Sequence, residues 1–215
     1  MTTVGSRMVS VPAGRLPRWI ENFAVRHGVP RATSAGDALL LVSPDGASAR
    51  LRLRWDEPVD PSDPVTSFLT SAARPRRLGL LAIRRARHAV GLWQGGLLEA
   101  RAGRHYVQGR TKAGGWSQQR YARRRDNQAR KAFEDAADDA ADLLDPVADS
   151  LERLVVAGDA GGIDAVLADP RCRRLAALAA RHPGPRLEIK DPTRTALADL
   201  AERWASAQVE LNELA

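Results

Sequence analysis

The chain of 215 residues is 44% hydrophobic and 27% charged, within the range of folded globular proteins and outside that of disordered ones. It has no secretory signal sequence and no apolar run long enough to span a membrane, and its single cysteine, Cys172, excludes an internal disulfide, so we expect a soluble, cytoplasmic protein. The formal net charge is +7, but a coding bias toward arginine would explain that total, so the distribution of charge along the chain is the more informative property.

The first 55 residues predict a small βαββ unit. A strand pattern is followed by apolar residues at helical spacing and by two further strand patterns, at residues 8–11, 12–27, 38–43 and 47–55. The last of these alternates apolar residues with Arg50, Arg52 and Arg54, so we expect these arginines on one face. A solvated face is the first interpretation of that pattern, and RNA contact is the alternative.

Residues 56–75 are predicted to be a linker, because residues 56–64 contain three prolines and four acidic side chains. The remainder, residues 76–215, is expected to form a second, larger domain. It opens with four short strand patterns separated by turns, which favour an antiparallel meander, at residues 78–84, 88–93, 97–102 and 104–108.

A long helix is predicted from Gln118 to about Leu144, with Ser117 as its N-cap. Its first half is basic and its second half acidic, which opposes the helix macrodipole, so helix stability does not explain this order. Between Arg74 and Lys131 the sequence holds 16 basic and two acidic residues, whereas the rest of the chain carries a net charge of −7. This concentration predicts an RNA-binding surface.

The C-terminal part predicts a strand, a helix interrupted near Asp169-Pro170, a short strand and a final helix, at residues 151–157, 163–180, 187–190 and 193–214. Together with the meander, this order predicts a mixed α/β (α+β) domain in which helices flank a mixed sheet.

Several kinds of catalytic site find no support in the sequence. The four histidines are dispersed, so we expect neither a nucleophile–histidine–carboxylate triad nor a metal site, and no cofactor is predicted. The acidic run at residues 134–145 wraps around its helix and is interpreted as a solvated face. The glycine-rich turn at residues 158–162 lacks the lysine and the glycine order of phosphate-binding loops, so an ordinary strand-to-helix turn is the preferred interpretation.

One constellation carries recognisable chemistry, namely the loop Gly114-Gly115-Trp116-Ser117-Gln118-Gln119 at the head of the basic helix. Paired glycines allow close approach of the backbone, and the amides of a helix N-terminus favour phosphate. A glutamine amide cannot act as a base, but it donates and accepts hydrogen bonds and so can orient a water molecule. The residues expected to contact RNA are Arg110, Lys112, Trp116, Arg120, Arg123, Arg124 and Arg125.

The pattern Gly114-Gly115-x-Ser117-x-x-Arg120-Tyr121-Ala122-Arg123-x-Arg125 resembles the Gly-Gly-Gln loop and following helix in the central domain of eukaryotic and archaeal class-1 release factors. Residues 109–128 resemble more closely the Vms-like release factors (VLRF), a family of ribosome-associated peptidyl-tRNA hydrolases, in their bacterial, actinobacterial-type branch. The resemblance extends from Leu78 to the C-terminus in the order of strands, loop, helix and terminal βαβα. It implies that residues 76–215 form a catalytic domain with a fold like that of the release-factor central domain.

Trp116 departs from the release factors, which place their glutamine directly after the glycine pair. The resemblance to the Vms-like proteins implies that Ser117-Gln118 carries the catalytic amide, with Gln119 as the alternative. It also implies a partnership with the large ribosomal subunit and peptidyl-tRNA, in which release-factor-type ester hydrolysis frees nascent chains from stalled ribosomes. Since the chain has no room for a codon-reading domain, we expect codon-independent rescue by a monomer, without a membrane.

A non-catalytic RNA- or ribosome-binding factor that uses the same basic helix is the alternative. The twin glycines and twin glutamines favour hydrolysis, because electrostatic docking requires neither. A nuclease is disfavoured, because the basic region contains no cluster of carboxylates.

Overall fold

The computed structural model describes residues 6–84, 87–104 and 116–215, with their side chains except for those of residues 104 and 116–129. Outside the described residues lie most of the strand predicted at 104–108 and four predicted site residues, Arg110, Lys112, Gly114 and Gly115. The chain forms two compact units, one of Met1–Arg74 with Glu202–Ala215 and one of Pro75–Ala201.

The strands are β1 (Arg7–Val11), β2 (Arg31–Ala35), β3 (Ala38–Val42), β4 (Ser48–Arg52), β5 (Arg77–Arg84), β6 (Arg87–Gln94), β7 (Leu97–Arg104), β8 (Arg153–Gly158) and β9 (Ala207–Leu211). The helices are α1 (Leu16–His27), α2 (Pro64–Ala73), α3 (Trp116–Leu143), α4 (Ala160–Leu167), α5 (Arg173–Arg181) and α6 (Arg194–Ala205). Short 3-10 turns occupy Ala13–Arg15, Asp145–Ser150 and Pro170–Cys172.

The N-terminal unit is built on an antiparallel sheet with the strand order β1-β9-β4-β3-β2. On β4 the apolar residues are buried while Arg50 and Arg52 are exposed, which confirms the predicted common face for these two arginines. Arg54 follows the strand and lies over the ring of Trp204, 5.4 Å from its centroid, while its Nη1 donates to the Trp204 carbonyl. Arg54 is therefore held within the unit by cation–π and hydrogen-bond contacts.

The predicted linker at residues 56–75 contains α2. Asp63 caps this helix by accepting a hydrogen bond from the amide of Thr66, and Pro64 takes the first helical position, where no amide donor is needed. Phe68 is only 1% exposed, so the helix packs into the core of its unit. The prolines and carboxylates that suggested a linker thus form a turn and a helix cap.

The helix predicted at residues 193–214 is wrong in its C-terminal part. It ends at Ala205, and β9 then inserts between β1 and β4, where Val209 lies opposite both Val9 and Leu51. The buried residues of β9 recur at every second position, the period of a strand, and pairing on both sides overrides the local helix propensity. The sequence does not predict β2 either, because that strand is short and polar.

The C-terminal unit holds a mixed sheet with the strand order β7-β6-β5-β8. Strands β5, β6 and β7 form the predicted antiparallel meander, and β8 pairs with β5 in parallel, with Val155 opposite Leu80. The strand predicted at residues 187–190 is reduced to one parallel bridge between Ala157 and Leu187. Helices α3, α4 and α5 pack against these strands, which confirms the predicted class of a mixed sheet with flanking helices.

The core of this unit lies between the meander, the second half of α3 and the pair α4 and α5, which are divided near Asp169-Pro170 as predicted. Ala136 and Ala140 of α3 are fully buried there. Cys172 is part of the same core, where burial raises the pKa of its thiol to about 11. None of the described helices combines the length and apolarity that crossing a membrane requires.

Packing explains the glycines of the turn between β8 and α4. Gly158 adopts a φ of +96°, and a Cβ added there would lie 1.9 Å from the carbonyl oxygen of Ile83, which also accepts a hydrogen bond from the Asp159 amide at 2.7 Å. At Gly162 an added Cβ would lie 2.7 Å from the Ile83 side chain and 2.9 Å from Phe133. These glycines therefore let α4 approach β5 and α3 closely, in agreement with an ordinary strand-to-helix turn.

Candidate functional site

The candidate site lies at the head of α3. The helix begins at Trp116, so Ser117 is not the predicted N-cap, and Ser117, Gln118 and Gln119 all belong to the first turn of the helix. The amides that open a helix have no partner within it, and here they include the amides of residues 116–118. With 28 residues at about 1.5 Å per residue, α3 is about 42 Å long.

The basic positions follow the glutamines along the same helix. No acidic residue occurs in the first turn, and residues three and four apart are neighbours on a helix surface, so positions 120, 123 and 124 share one face. The structure thus places Gln118, Gln119 and the arginines at positions 120, 123 and 124 on one continuous helix. Gly114 and Gly115 lie outside the described residues.

Strand β6 contacts both elements that flank residues 105–115. Strand β7 pairs with β6 along its length, ending with Arg104 opposite Arg87, and α3 packs across β6. His88 of β6 is 2% exposed, and its Nε2 lies 2.8 Å from Oδ2 of Asp139 on α3. The second carboxylate oxygen lies 3.6 Å from the guanidinium of Arg101 on β7. This His88–Asp139–Arg101 cluster therefore ties α3 to two neighbouring strands.

This cluster is not predicted by the sequence. His88 and Asp139 are 51 positions apart, so no local spacing connects them, and His88 is one of four dispersed histidines in the sequence. The only local signal is Gly103 opposite His88, where an added Cβ would lie 2.2 Å from the imidazole ring. Glycine at this position leaves room for the buried ring.

The acidic half of α3 is in part the predicted solvated face, because Glu134, Asp138 and Asp142 are exposed, but several of its carboxylates also have partners from distant parts of the chain. Asp142 accepts a hydrogen bond from Arg101 at 3.1 Å, and Asp138 pairs with Arg171. Asp145, just beyond the helix, accepts from the amides that begin α5, at 2.9 and 3.1 Å. These carboxylates have partners from distant parts of the chain, and the partners offset their unfavourable position near a helix C-terminus.

Removal of the Asp139 carboxylate tests the cluster. We expect Asp139→Ala to lower the free energy of unfolding by about 1–3 kcal/mol, because the buried imidazole of His88 loses its acceptor. Asp139→Asn keeps an acceptor oxygen at the same position, so its free energy of unfolding should fall by clearly less. Urea unfolding of the full chain measures both, and an Asp139→Ala protein as stable as the wild type would show that the contact does not hold α3 in place.

The sequence model of the Actinobacteria/chloroflexi VLRF1 release factor family matches residues 76–210. Among solved structures, the archaeal translation termination factor aRF1 is 16% identical with a TM-score of 0.39, covering 93% of this chain and 66% of that one. An archaeal protein is 16% identical with a TM-score of 0.37, and the match covers 76% of this chain and 52% of that one. The chain thus spans less than two thirds of either structure, and no curated protein matches its sequence.

The matched segment covers more than half of the chain and contains the meander, the loop, all of α3 and the βα elements that follow. It also begins within two residues of the start of the resemblance found in the sequence, at Leu78. The chain therefore belongs to the actinobacterial and chloroflexi VLRF1 release factor family.

Proposed function

We propose that this protein is a peptidyl-tRNA hydrolase that acts in the peptidyl-transferase centre of the large ribosomal subunit and releases nascent chains from stalled ribosomes without reading a codon. The observation that carries the proposal is the head of α3 within the family-matched segment, where Ser117-Gln118-Gln119 follow a glycine pair in the first turn of a basic helix. A rigid helix presents an amide side chain more accurately than a free loop does.

The chemistry follows from what residues 109–125 contain and lack. They include two glutamines but no Asp, Glu, His or Cys, so the segment offers no carboxylate or imidazole base and no thiol nucleophile. Gln118 would orient a water molecule against the ester carbon that joins the peptide to the tRNA. The water oxygen bonds to that carbon, the bond to the ribose oxygen breaks, and the ribose oxygen leaves as a hydroxyl. Ribosomal RNA and the terminal ribose would supply most of the stabilisation of the transition state.

One assay separates this proposal from its alternative. The protein is incubated with purified ribosome–peptidyl-tRNA complexes, and release of the peptide is scored against cleavage of the tRNA. Release of intact peptide with intact tRNA is the expected result. Binding without release would favour the non-catalytic ribosome-binding factor, and tRNA cleavage would indicate a nuclease.

Charge reversal on α3 should weaken docking rather than chemistry. We expect Arg123→Glu/Arg124→Glu to reduce ribosome affinity and to lower the slope of log affinity against log salt by about 2, because each arginine that contacts a phosphate releases roughly one counterion. Release at saturating protein should stay within a few-fold of wild type. Affinity would be measured by sedimentation with ribosomes at several salt concentrations.

The matched control is Arg173→Glu/Arg181→Glu, which reverses two exposed charges on α5. This variant makes the same change in net charge and should keep most of the affinity. An equal loss in both double variants would point to net charge alone and would count against docking through α3.

A further inference from the structure

The N-terminal unit carries a charge pattern that the proposed hydrolysis does not use. It has ten arginines and ten carboxylates, so its formal charge is zero. The charges are nevertheless segregated along the chain. Residues 7–31 contain five arginines and a single carboxylate, Glu21, whereas residues 56–63 contain four carboxylates and no basic residue. Most of this unit also lies outside the family-matched segment, which begins at residue 76.

Helix α1 arranges part of this basic segment into a stripe. Arg15, Arg18, Asn22 and Arg26 are all exposed, and their spacings of three, four and four residues place them along one face. Arg15 closes the 3-10 turn that runs directly into α1, and the stripe is about 16 Å long at 1.5 Å per residue. We call these four residues the α1 basic stripe.

The opposite side of α1 is fixed to its own unit. Leu16 and Phe23 are buried. Phe23 stacks on Trp19 with 5.6 Å between ring centroids, and it contacts His27 at 5.0 Å, while His27 bonds to Asp45 at 2.8 Å. The stripe therefore lies on a packed helix, which fixes the backbone positions of its four members.

The three arginines of the stripe have no hydrogen bond or ion pair from their side chains within the described part of the chain. By contrast, Arg52 and Arg74 of the same unit pair with Asp37 and Glu57. The first turn of α1 contains no acidic residue, although acidic residues there would stabilise the helix through its macrodipole. Internal pairing accounts for none of the three arginines, and helix stability accounts only for Arg26, which lies in the last turn. The positive end of the helix adds to the potential of Arg15 and Arg18.

We infer that the α1 basic stripe is a second RNA-binding surface, which takes the phosphate backbone of a structured RNA. A stripe of about 16 Å runs beside roughly ten phosphate charges of a duplex, at about one per 1.7 Å. The planar guanidinium of arginine binds phosphate in a bidentate manner. Asn22 adds a neutral donor and acceptor, and the half-buried Trp19 beside the stripe offers an edge for ribose or base contact. Within a release-factor family, ribosomal RNA is the phosphate surface that these features suit best.

The test measures binding and leaves hydrolysis aside. Full-length protein with the Arg15→Gln/Arg18→Gln/Arg26→Gln substitutions is titrated against purified ribosomes and against a labelled RNA hairpin duplex, between about 50 and 200 mM salt. We expect at least a tenfold loss of affinity at low salt and a decrease of about 2–3 in the slope of log affinity against log salt. The thermal unfolding midpoint should not change, because these side chains have no internal partner.

The matched control is Arg173→Gln/Arg181→Gln/Arg186→Gln, which removes the same number of charges from another part of the chain. Its affinity for ribosomes and for the RNA duplex should stay within about threefold of wild type. Unchanged affinity and slope in the stripe variant, or an equal loss in the control, would overturn the inference. So would poly-L-glutamate competing as well as RNA at equal charge, since that result would indicate an acidic protein surface. Because binding is read without hydrolysis, a wild-type protein that releases no peptide would count against the proposed function and leave this inference standing.

Discussion

Gln118→Ala is expected to reduce peptide release from stalled ribosome complexes by at least about 100-fold, the usual effect of removing one positioned polar group from a transition state. The proposed role of Gln118 is to hold the attacking water, and alanine has no group that can donate or accept. Ribosome affinity should stay within about twofold of wild type, because the arginines that would carry docking are retained. Release is measured in single turnover with purified ribosome–peptidyl-tRNA complexes.

The neighbouring Gln119→Ala provides the matched control, since it removes the same amide one position along the same helical turn. Successive helical residues point about 100° apart, so one orientation of α3 presents only one of the two amides to a given target. Full release by the Gln118→Ala protein with loss in the Gln119→Ala protein would transfer the role to Gln119. Release by the double variant at the wild-type rate would falsify catalysis by either glutamine.

Gly158→Ala is expected to destabilise the protein by more than about 3 kcal/mol and to lower its yield sharply. A left-handed conformation costs a residue with a Cβ about 1–2 kcal/mol, and φ at Gly158 is +96°. The larger cost is steric, because the new Cβ would lie 1.9 Å from the carbonyl oxygen of Ile83, a backbone atom of the central strand β5. Relief requires β5 and β8 to move apart, which would disturb their parallel pairing. Urea unfolding monitored by circular dichroism measures the loss.

Gly161→Ala is the control, three residues further along. Gly161 lies in α4, and no atom lies within 4 Å of a Cβ added there. Alanine should therefore stabilise the helix by up to about 1 kcal/mol through its higher propensity. If the Gly158→Ala and Gly161→Ala proteins unfolded at the same urea concentration, that result would contradict the close contact between β8 and β5 at Gly158.

The parts of the fold that the sequence predicted are those with local signals. The strands β5, β6 and β7 are rich in apolar residues and are separated by short turns, and α4 and α5 are divided by a proline that cannot continue a helix. The errors arose where long-range pairing decides the structure. The residues of β9 read locally as the end of a helix, yet they pair with strands that lie more than 150 positions earlier.

The candidate site likewise has one part that local sequence predicts and another that depends on long-range contacts. The motif at the head of α3 was found because its glycines, glutamines and arginines are contiguous in the sequence. The cluster that anchors α3 joins His88, Arg101 and Asp139 from three separate elements, so it was invisible without the fold. Similarly, the α1 basic stripe is recognised only when the structure places its members on one exposed face of α1, with no side-chain partner within the described part of the chain.

The insertion of β9 between β1 and β4 has a consequence for synthesis of the chain. The N-terminal sheet lacks its central connection until residues 207–211 have left the ribosome that is making them. Before that moment β1 and the hairpin of β3 and β4 have no strand to join them, and each exposes an unpaired edge. The sheet of the N-terminal unit can therefore be completed only after the C-terminal unit, Pro75–Ala201, has been synthesised.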